Sequence, residues 1–165
     1  QLARQLGDWL PRILAKSGGI LPLPDVFCLF NRARGSELIS PEDLLKACQL
    51  WKRLGVPLQF RRFDSGIQVV QSLDRSDDEV CATLMEMINR PSESESHDGE
   101  RKTSSSPSRM DTYSASVALG INPTIASEYL LMAERHGILC RDDGPEATYF
   151  YPNFFPECSY ATEAA

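Results

Sequence analysis

The chain carries one pattern twice, and this constrains the fold more than any other feature in it. Ser40-Pro41 opens a helical stretch that closes at Gly55, and Asn122-Pro123 opens another that closes at Gly137. Cap, proline and glycine in the second stretch each stand 82 positions after their counterparts in the first. A Ser or Asn side chain at a helix start accepts a hydrogen bond from an orphan N–H. Proline suits the first helical position because its missing N–H would be unpaired there in any case. Glycine adopts the left-handed stop. The apolar stripes agree as well: Leu44, Ala47, Cys48 and Trp51 fall at i, i+3, i+4 and i+7, and so do Ala126, Tyr129, Leu130 and Ala133. A matched start, stop and stripe argue for a tandem repeat of one small domain.

At 165 residues there is room for two such domains of about 75–80 residues, small enough to need mutual support. The repeat places the first at 1–74 and the second at 76–156, with 157–165 as a flexible tail. No apolar run approaches the roughly 20 residues that span a bilayer. The chain starts at Gln1, directly in a helical pattern, which predicts a fragment of a longer protein. The five cysteines are scattered, with no CxxC pair, and neither His97 nor His136 stands at a zinc spacing. That usage suits a reducing compartment and implies no metal or cofactor. Cys28, Cys48 and Cys81 lie in apolar helix patterns and read as small buried hydrophobes.

Between these landmarks the periodicity predicts three helices and a hairpin in each copy. In the first, Leu2, Leu6, Trp9, Leu10, Ile13 and Leu14 mark a helix that Pro11 should kink or divide at Asp8, and Ser17-Gly18-Gly19 should stop. Ile20-Leu21 reads as a short strand. Pro24 opens a second helix with Val26, Phe30 and Ala33 on one face, and the Ser40 helix is the third. Leu58–Phe63 and Ile67–Val70 flank Asp64-Ser65-Gly66 as a β-hairpin. In the second copy, Ser76-Asp77-Asp78-Glu79 is a capping box ahead of Val80, Leu84, Met87 and Ile88. Residues 91–109 are Ser-rich and lack large apolar side chains, which predicts a disordered insertion between the copy's first and second helices. Tyr113, Val117 and Leu119 restart a short helix. After the Asn122 helix, Cys140–Gly144 and Thr148–Tyr151 form the second hairpin. Helices followed by a hairpin give a mostly α fold with small β-hairpins, an α+β chain of two tandem winged-helix domains.

A winged helix raises the question of DNA, and a DNA-binding transcription regulator is the alternative reading. Such a protein needs cations on its third helix and wing to meet phosphates. The net charge of −6 is uneven: +4 over 1–75, −4 over 76–110 and −6 over 111–165. Arg32, Arg34, Arg61 and Arg62 could form a basic patch on the first copy, but Glu128, Glu134, Asp142 and Asp143 would repel phosphate from the second. No catalytic constellation is visible, and neither a phosphate-binding loop nor a dinucleotide fingerprint occurs.

The aromatic run is more informative. Tyr149, Phe150, Tyr151, Phe154 and Phe155 lie within seven residues. A strand buries alternate side chains on one face, so this run offers apolar groups to both faces. Phe150 and Tyr149 should divide between core and interface. Aromatics and arginine dominate binding hot spots, which makes Arg141, Asp142, Tyr149, Tyr151 and Phe154 the candidate partner-binding residues.

The strings Asn31-Arg32-Ala33-Arg34-Gly35, Glu37-Leu38-Ile39-Ser40-Pro41-Glu42-Asp43-Leu44 and Phe63-Asp64-Ser65-Gly66 resemble the C-terminal half of the vacuolar protein sorting-associated protein 36 family of ESCRT-II subunits. Leu130–Glu134, Leu139–Asp143 and Phe150–Asn153 continue the match. The resemblance implies two winged-helix domains in protein assembly. The partners it implies are a paralogous winged-helix subunit and a small winged-helix subunit of ESCRT-II. It implies work in sorting ubiquitinated cargo into multivesicular bodies, in the cytoplasm with recruitment to the endosomal membrane. The family's N-terminal GLUE domain, which binds ubiquitin and phosphoinositide, is absent here. The insertion departs from the family pattern, and its Ser106-Pro107 is a candidate phosphorylation dipeptide in a polar spacer.

Overall fold

The computed structural model describes residues 1–89 and 109–155. In chain order the elements are α1 (Leu2–Leu14), β1 (Ile20–Pro22), α2 (Leu23–Arg34), α3 (Pro41–Leu54), β2 (Leu58–Arg62) and β3 (Gln68–Ser72). They are followed by α4 (Asp77–Asn89), α5 (Thr112–Leu119), α6 (Pro123–Arg135), β4 (Leu139–Asp143) and β5 (Thr148–Pro152). The architecture is two winged-helix units in tandem, each of three helices and an antiparallel hairpin. The first sheet has the order β1-β3-β2, and the second pairs β4 with β5. Met110 joins the second sheet through a bridge to Phe150, with N–H···O distances of 2.9 and 2.8 Å. A short segment ahead of the second helix therefore pairs with the returning strand in both units.

The third helices form as their end signals dictate. Ser40 Oγ accepts from the Asp43 N–H at 3.1 Å, and Asn122 Oδ1 accepts from the Thr124 N–H at 2.9 Å. Gly55 and Gly137 both take positive φ, at 66° and 72°. All eight stripe residues are buried. The indole N–H of Trp51 donates to Ala3 O at 2.9 Å, so the largest side chain of the first core also fixes the start of α1. At the next interface Ser76 Oγ caps α4 by accepting from the Glu79 N–H.

Three expectations need correction. Pro11 does not divide the first helix, which runs from Leu2 to Leu14. Proline removes the bond to the Gly7 carbonyl, but Leu6, Leu10 and Leu14 are buried on one stripe and hold both sides of the gap on a single core. Cys28 is exposed, because α2 buries Leu23, Val26 and Phe30 and turns Cys28 and Ala33 outward. In α5 the small residues Ala115 and Ser116 are buried, letting the helix pack closely on α6. Tyr113 and Val117 point to solvent at 71 % and 65 % exposure. Of the proposed disordered insertion, only Arg109 is described; its guanidinium carbon stands 4.2 Å from the Tyr149 ring centroid. The rest of that stretch, Ser106-Pro107 included, lies outside the described residues, as does the proposed tail beyond Phe155.

The two units share a seam built on the first sheet. Along β3 the side chains alternate: Val70 enters the first core with Leu10, Val26 and Trp51, whereas Val69 enters the second core with Leu84, Ile125 and Tyr129. Ile20 and Phe63 also belong to the second core. The Phe63 and Tyr129 rings meet edge to face at 5.7 Å between centroids. Three arginines stitch the margin. Arg61 donates to both carboxylate oxygens of Asp77, at 2.5 and 2.9 Å, and lies 4.6 Å from the Phe63 ring centroid. Arg75 donates to Tyr129 Oη at 3.0 Å and to the Gly18 carbonyl. Arg135 pairs with Asp64. Burial alone would weaken the Arg61 charge, but the hydrogen bond and charge of Asp77 outweigh it and hold the guanidinium above its ordinary pKa. Of the four arginines that could have formed a basic patch, Arg61 is paired across the seam and Arg34 with Glu37.

The seam makes two testable demands. In a double-mutant cycle on Arg61→Ala and Asp77→Ala, urea unfolding should return a coupling of about 1 kcal/mol or more, because the pair is bidentate and half-buried. A coupling near zero would reduce it to an ordinary surface ion pair. Gly18→Ala should cost clearly more than Gly55→Ala, although both glycines have φ near 65°. A Cβ on Gly18 would stand 2.6 Å from Ile121 Cγ2 and 2.7 Å from the Gly120 carbonyl, whereas Gly55 has nothing within 4 Å. We expect about 1 kcal/mol for Gly55→Ala from backbone strain alone, and at least twice that for Gly18→Ala.

Candidate protein interface

The second wing is positioned by α6 and by its own strand register. Cross-strand partners share a face: Leu139 lies opposite Pro152 and Arg141 opposite Phe150, while Cys140 lies opposite Tyr151 and Asp142 opposite Tyr149. Leu139 and Phe150 are each 1 % exposed, so their face is the core face. Asp142, Tyr149, Tyr151 and Cys140 consequently share the outward face, where the two tyrosines are half-buried and Asp142 is exposed. The alternation expected for Tyr149 and Phe150 is present, with Phe150 in the core.

The five candidate residues do not form one cluster. Asp142, Tyr149 and Tyr151 stand together. Arg141 lies on the opposite face, its Nε 3.3 Å from Glu134 Oε1 and 3.5 Å from Asp143 Oδ2, where it ties the wing to the end of α6. Phe154 follows the strand and is 58 % exposed beside the equally open Phe155. Asn153 fixes this exit by donating from Nδ2 to the Gly137 carbonyl at 2.8 Å and accepting from the Phe155 N–H at 3.1 Å. Reasoning from the sequence missed Arg109, which covers one side of Tyr149; nothing in its polar surroundings marks it. Tyr113 and Val117 were missed as surface because a two-turn helix carries too little periodicity to show which face is buried.

The outward face has an acidic margin of Asp142, Asp143 and Glu146 around its turn, all exposed. Among the described residues no group of three or more His, Cys, Asp or Glu could hold a metal ion. Cys48 is buried in the first core, and desolvation pushes its thiol up to about 12, the protonated and unreactive form. No helix among the described residues is long and apolar enough to cross a membrane.

Two winged-helix units locked through a sheet, with a second sheet face left open, define a tandem winged-helix protein. The chain belongs to the EAP30/Vps36 family, whose profile matches residues 1–143. Vacuolar protein-sorting-associated protein 36 of Danio rerio is 41% identical over 155 residues, covering 94% of this chain and 36% of that protein. The Homo sapiens protein of the same name is 39% identical over the same shares, and that of Dictyostelium discoideum 36% over 161 residues, 92% of this chain and 24% of that protein. The chain thus spans about a third of the length of the zebrafish and human relatives. Among solved structures, a chain from the ESCRT-II endosomal trafficking complex shares the fold with a TM-score of 0.65 at 20% identity, over 92% of this chain and 88% of that one.

The geometry predicts opposite consequences for neighbouring aromatics. Phe150→Ala should destabilise the chain by about 3–5 kcal/mol in urea unfolding, as for other buried phenylalanines. Tyr149→Ala should cost less than about 1 kcal/mol. Equal losses would mean that both faces of β5 are core.

Proposed function

We propose that this chain is a non-catalytic assembly segment of an ESCRT-II subunit, acting in the sorting of ubiquitinated cargo into multivesicular bodies. It would divide into domains at 1–74 and 76–156, work in the cytoplasm, and reach the endosomal membrane through its partners. Those partners are the other ESCRT-II subunits; ubiquitin and phosphoinositide belong to the family's N-terminal domain and not to these residues. Family membership supports the assembly role, and the observation that carries it is the open outward face of the second wing. Half-buried Tyr149 and Tyr151, exposed Phe154 and the acidic turn at Asp142 form an amphipathic surface of the kind that anchors protein partners. We assign to it the contact with the small winged-helix subunit. Arg141 would orient the turn through Glu134 and Asp143 instead of touching the partner. The regulator alternative finds no support in the family, and the acidic side chains on α6 and the second wing oppose it.

Calorimetric titration of the whole chain with the small winged-helix subunit tests this reading. Tyr149→Ala should weaken binding by at least tenfold, the equivalent of about 1.4 kcal/mol, with the melting temperature little changed. Arg141→Lys should change affinity by less than about threefold, since its ion pairs are half-exposed. Full affinity in Tyr149→Ala, Tyr151→Ala and Asp142→Ala would place the subunit contact on another face.

A further inference from the structure

We infer that the chain also associates head to tail with a second copy of itself, the outward face of the second wing docking on the α1/α3 face of the next molecule. The internal seam shows how such units pair. There the wing of the first unit presents Arg61, Phe63 and Val69 to a helical face of the second that carries Asp77, Tyr129, Met132 and Arg135. The same two surfaces exist a second time, and in this chain nothing described pairs them.

The open wing is identified by register. Val70 and Phe150 are the core residues of β3 and β5, which puts Tyr149 in the place of Val69 and Tyr151 in the place of Gln71. Leu58 and Leu139 are the buried first residues of β2 and β4, which puts Asp142 in the place of Arg61. The open helical face follows from the repeat of 82 positions: Leu50 stands where Met132 does, and Arg53 where Arg135 does. Met132 is buried in the seam, whereas Leu50 and its neighbour Leu54 are each 43 % exposed. They border a groove of about 420 Å³ between α1 and α3, lined also by Leu2, Ala3, Arg4, Asp43 and Lys46. Aligning the buried residues of α1 and α4 (Leu6 with Val80, Leu10 with Leu84, Leu14 with Ile88) puts Ala3 at the place of Asp77 and Arg4 at that of Asp78.

Charge then selects the occupant. In the seam the wing supplies Arg61 to Asp77 of the helical face and Asp64 to its Arg135. In the open pair the wing offers Asp142 where the seam has Arg61, and the helical face offers Arg4 where α4 has Asp78, with Lys46 and Arg53 beside it and Asp43 at the groove's margin, all exposed. A change of sign on one surface would destroy complementarity, and a change on both restores it. Tyrosine in place of valine on the open wing suits a face that meets water between encounters. Arg109, stacked on Tyr149, forms one rim of this face. Because the two surfaces differ, the contact is heterologous and does not close on itself, so molecules add in series. It lacks the effective concentration that the covalent link gives the internal seam, and it is correspondingly weak. This inference goes beyond the subunit role and uses the same wing face, for which an ESCRT-II partner and a second copy would compete.

Sedimentation equilibrium of the whole chain, from about 10 μM to about 1 mM where weak contacts register, provides the test. The weight-average mass should rise with concentration, pass that of a dimer, and fall with added salt. Leu50→Asp, Asp142→Arg and Arg4→Asp should each weaken association at least tenfold, with unchanged circular dichroism and melting temperature. An equimolar mixture of Asp142→Arg and Arg4→Asp should recover it, since every contact in an alternating chain of the two is again complementary. A monomer at all concentrations overturns the inference, as does association indifferent to these substitutions or a mixture that stays dissociated. Neither result bears on the subunit reading, which rests on the separate titration.

Discussion

The structure depends on one strand serving two cores. β3 carries Val70 into the first unit and Val69 into the second, so a three-stranded sheet is buried on both faces. A small winged-helix unit buries a limited apolar area on its own. Sharing a sheet lets each unit use the other as part of its interior. The edge-to-face contact of Phe63 with Tyr129 and the pairs formed by Arg61, Arg75 and Arg135 complete the seal, and Arg75 reaches the Gly18 carbonyl on the far side. The close approach of Gly18 to Gly120 and Ile121 leaves no space for a side chain there.

The second sheet shows what the first would look like without this arrangement. Its core face is filled by Phe150 and Leu139, and its outward face is left with tyrosines and an aspartate. Side chains with an apolar body and a polar tip are what such a position requires, because it meets both water and protein. The repeat therefore keeps its geometry while its surfaces diverge. Ala47 and Tyr129 occupy the same helical position, yet one lines an open groove and the other is the centre of the seam.

Much was legible in the sequence because it is local. Caps, prolines, glycines and the i, i+3, i+4, i+7 stripes depend on hydrogen bonds and packing within a few residues, so short stretches of chain suffice to place α3, α6 and both hairpins. The strand alternation likewise placed Tyr149 and Phe150 on opposite faces of β5, one of them the core face. Tertiary structure decided what pairs with what. That Arg61 belongs to Asp77, that Arg141 turns toward Glu134 and away from Tyr149, and that Val69 and Ile20 lie in the second core are results of contacts between distant segments. The same holds for α1, where burial of Leu10 and Leu14 overrides the proline, and for α5, where close packing against α6 buries Ala115 and Ser116 and exposes Tyr113. Local sequence specifies which elements form; only the shared sheet, by fixing how the two units meet, determines which of their faces remain open.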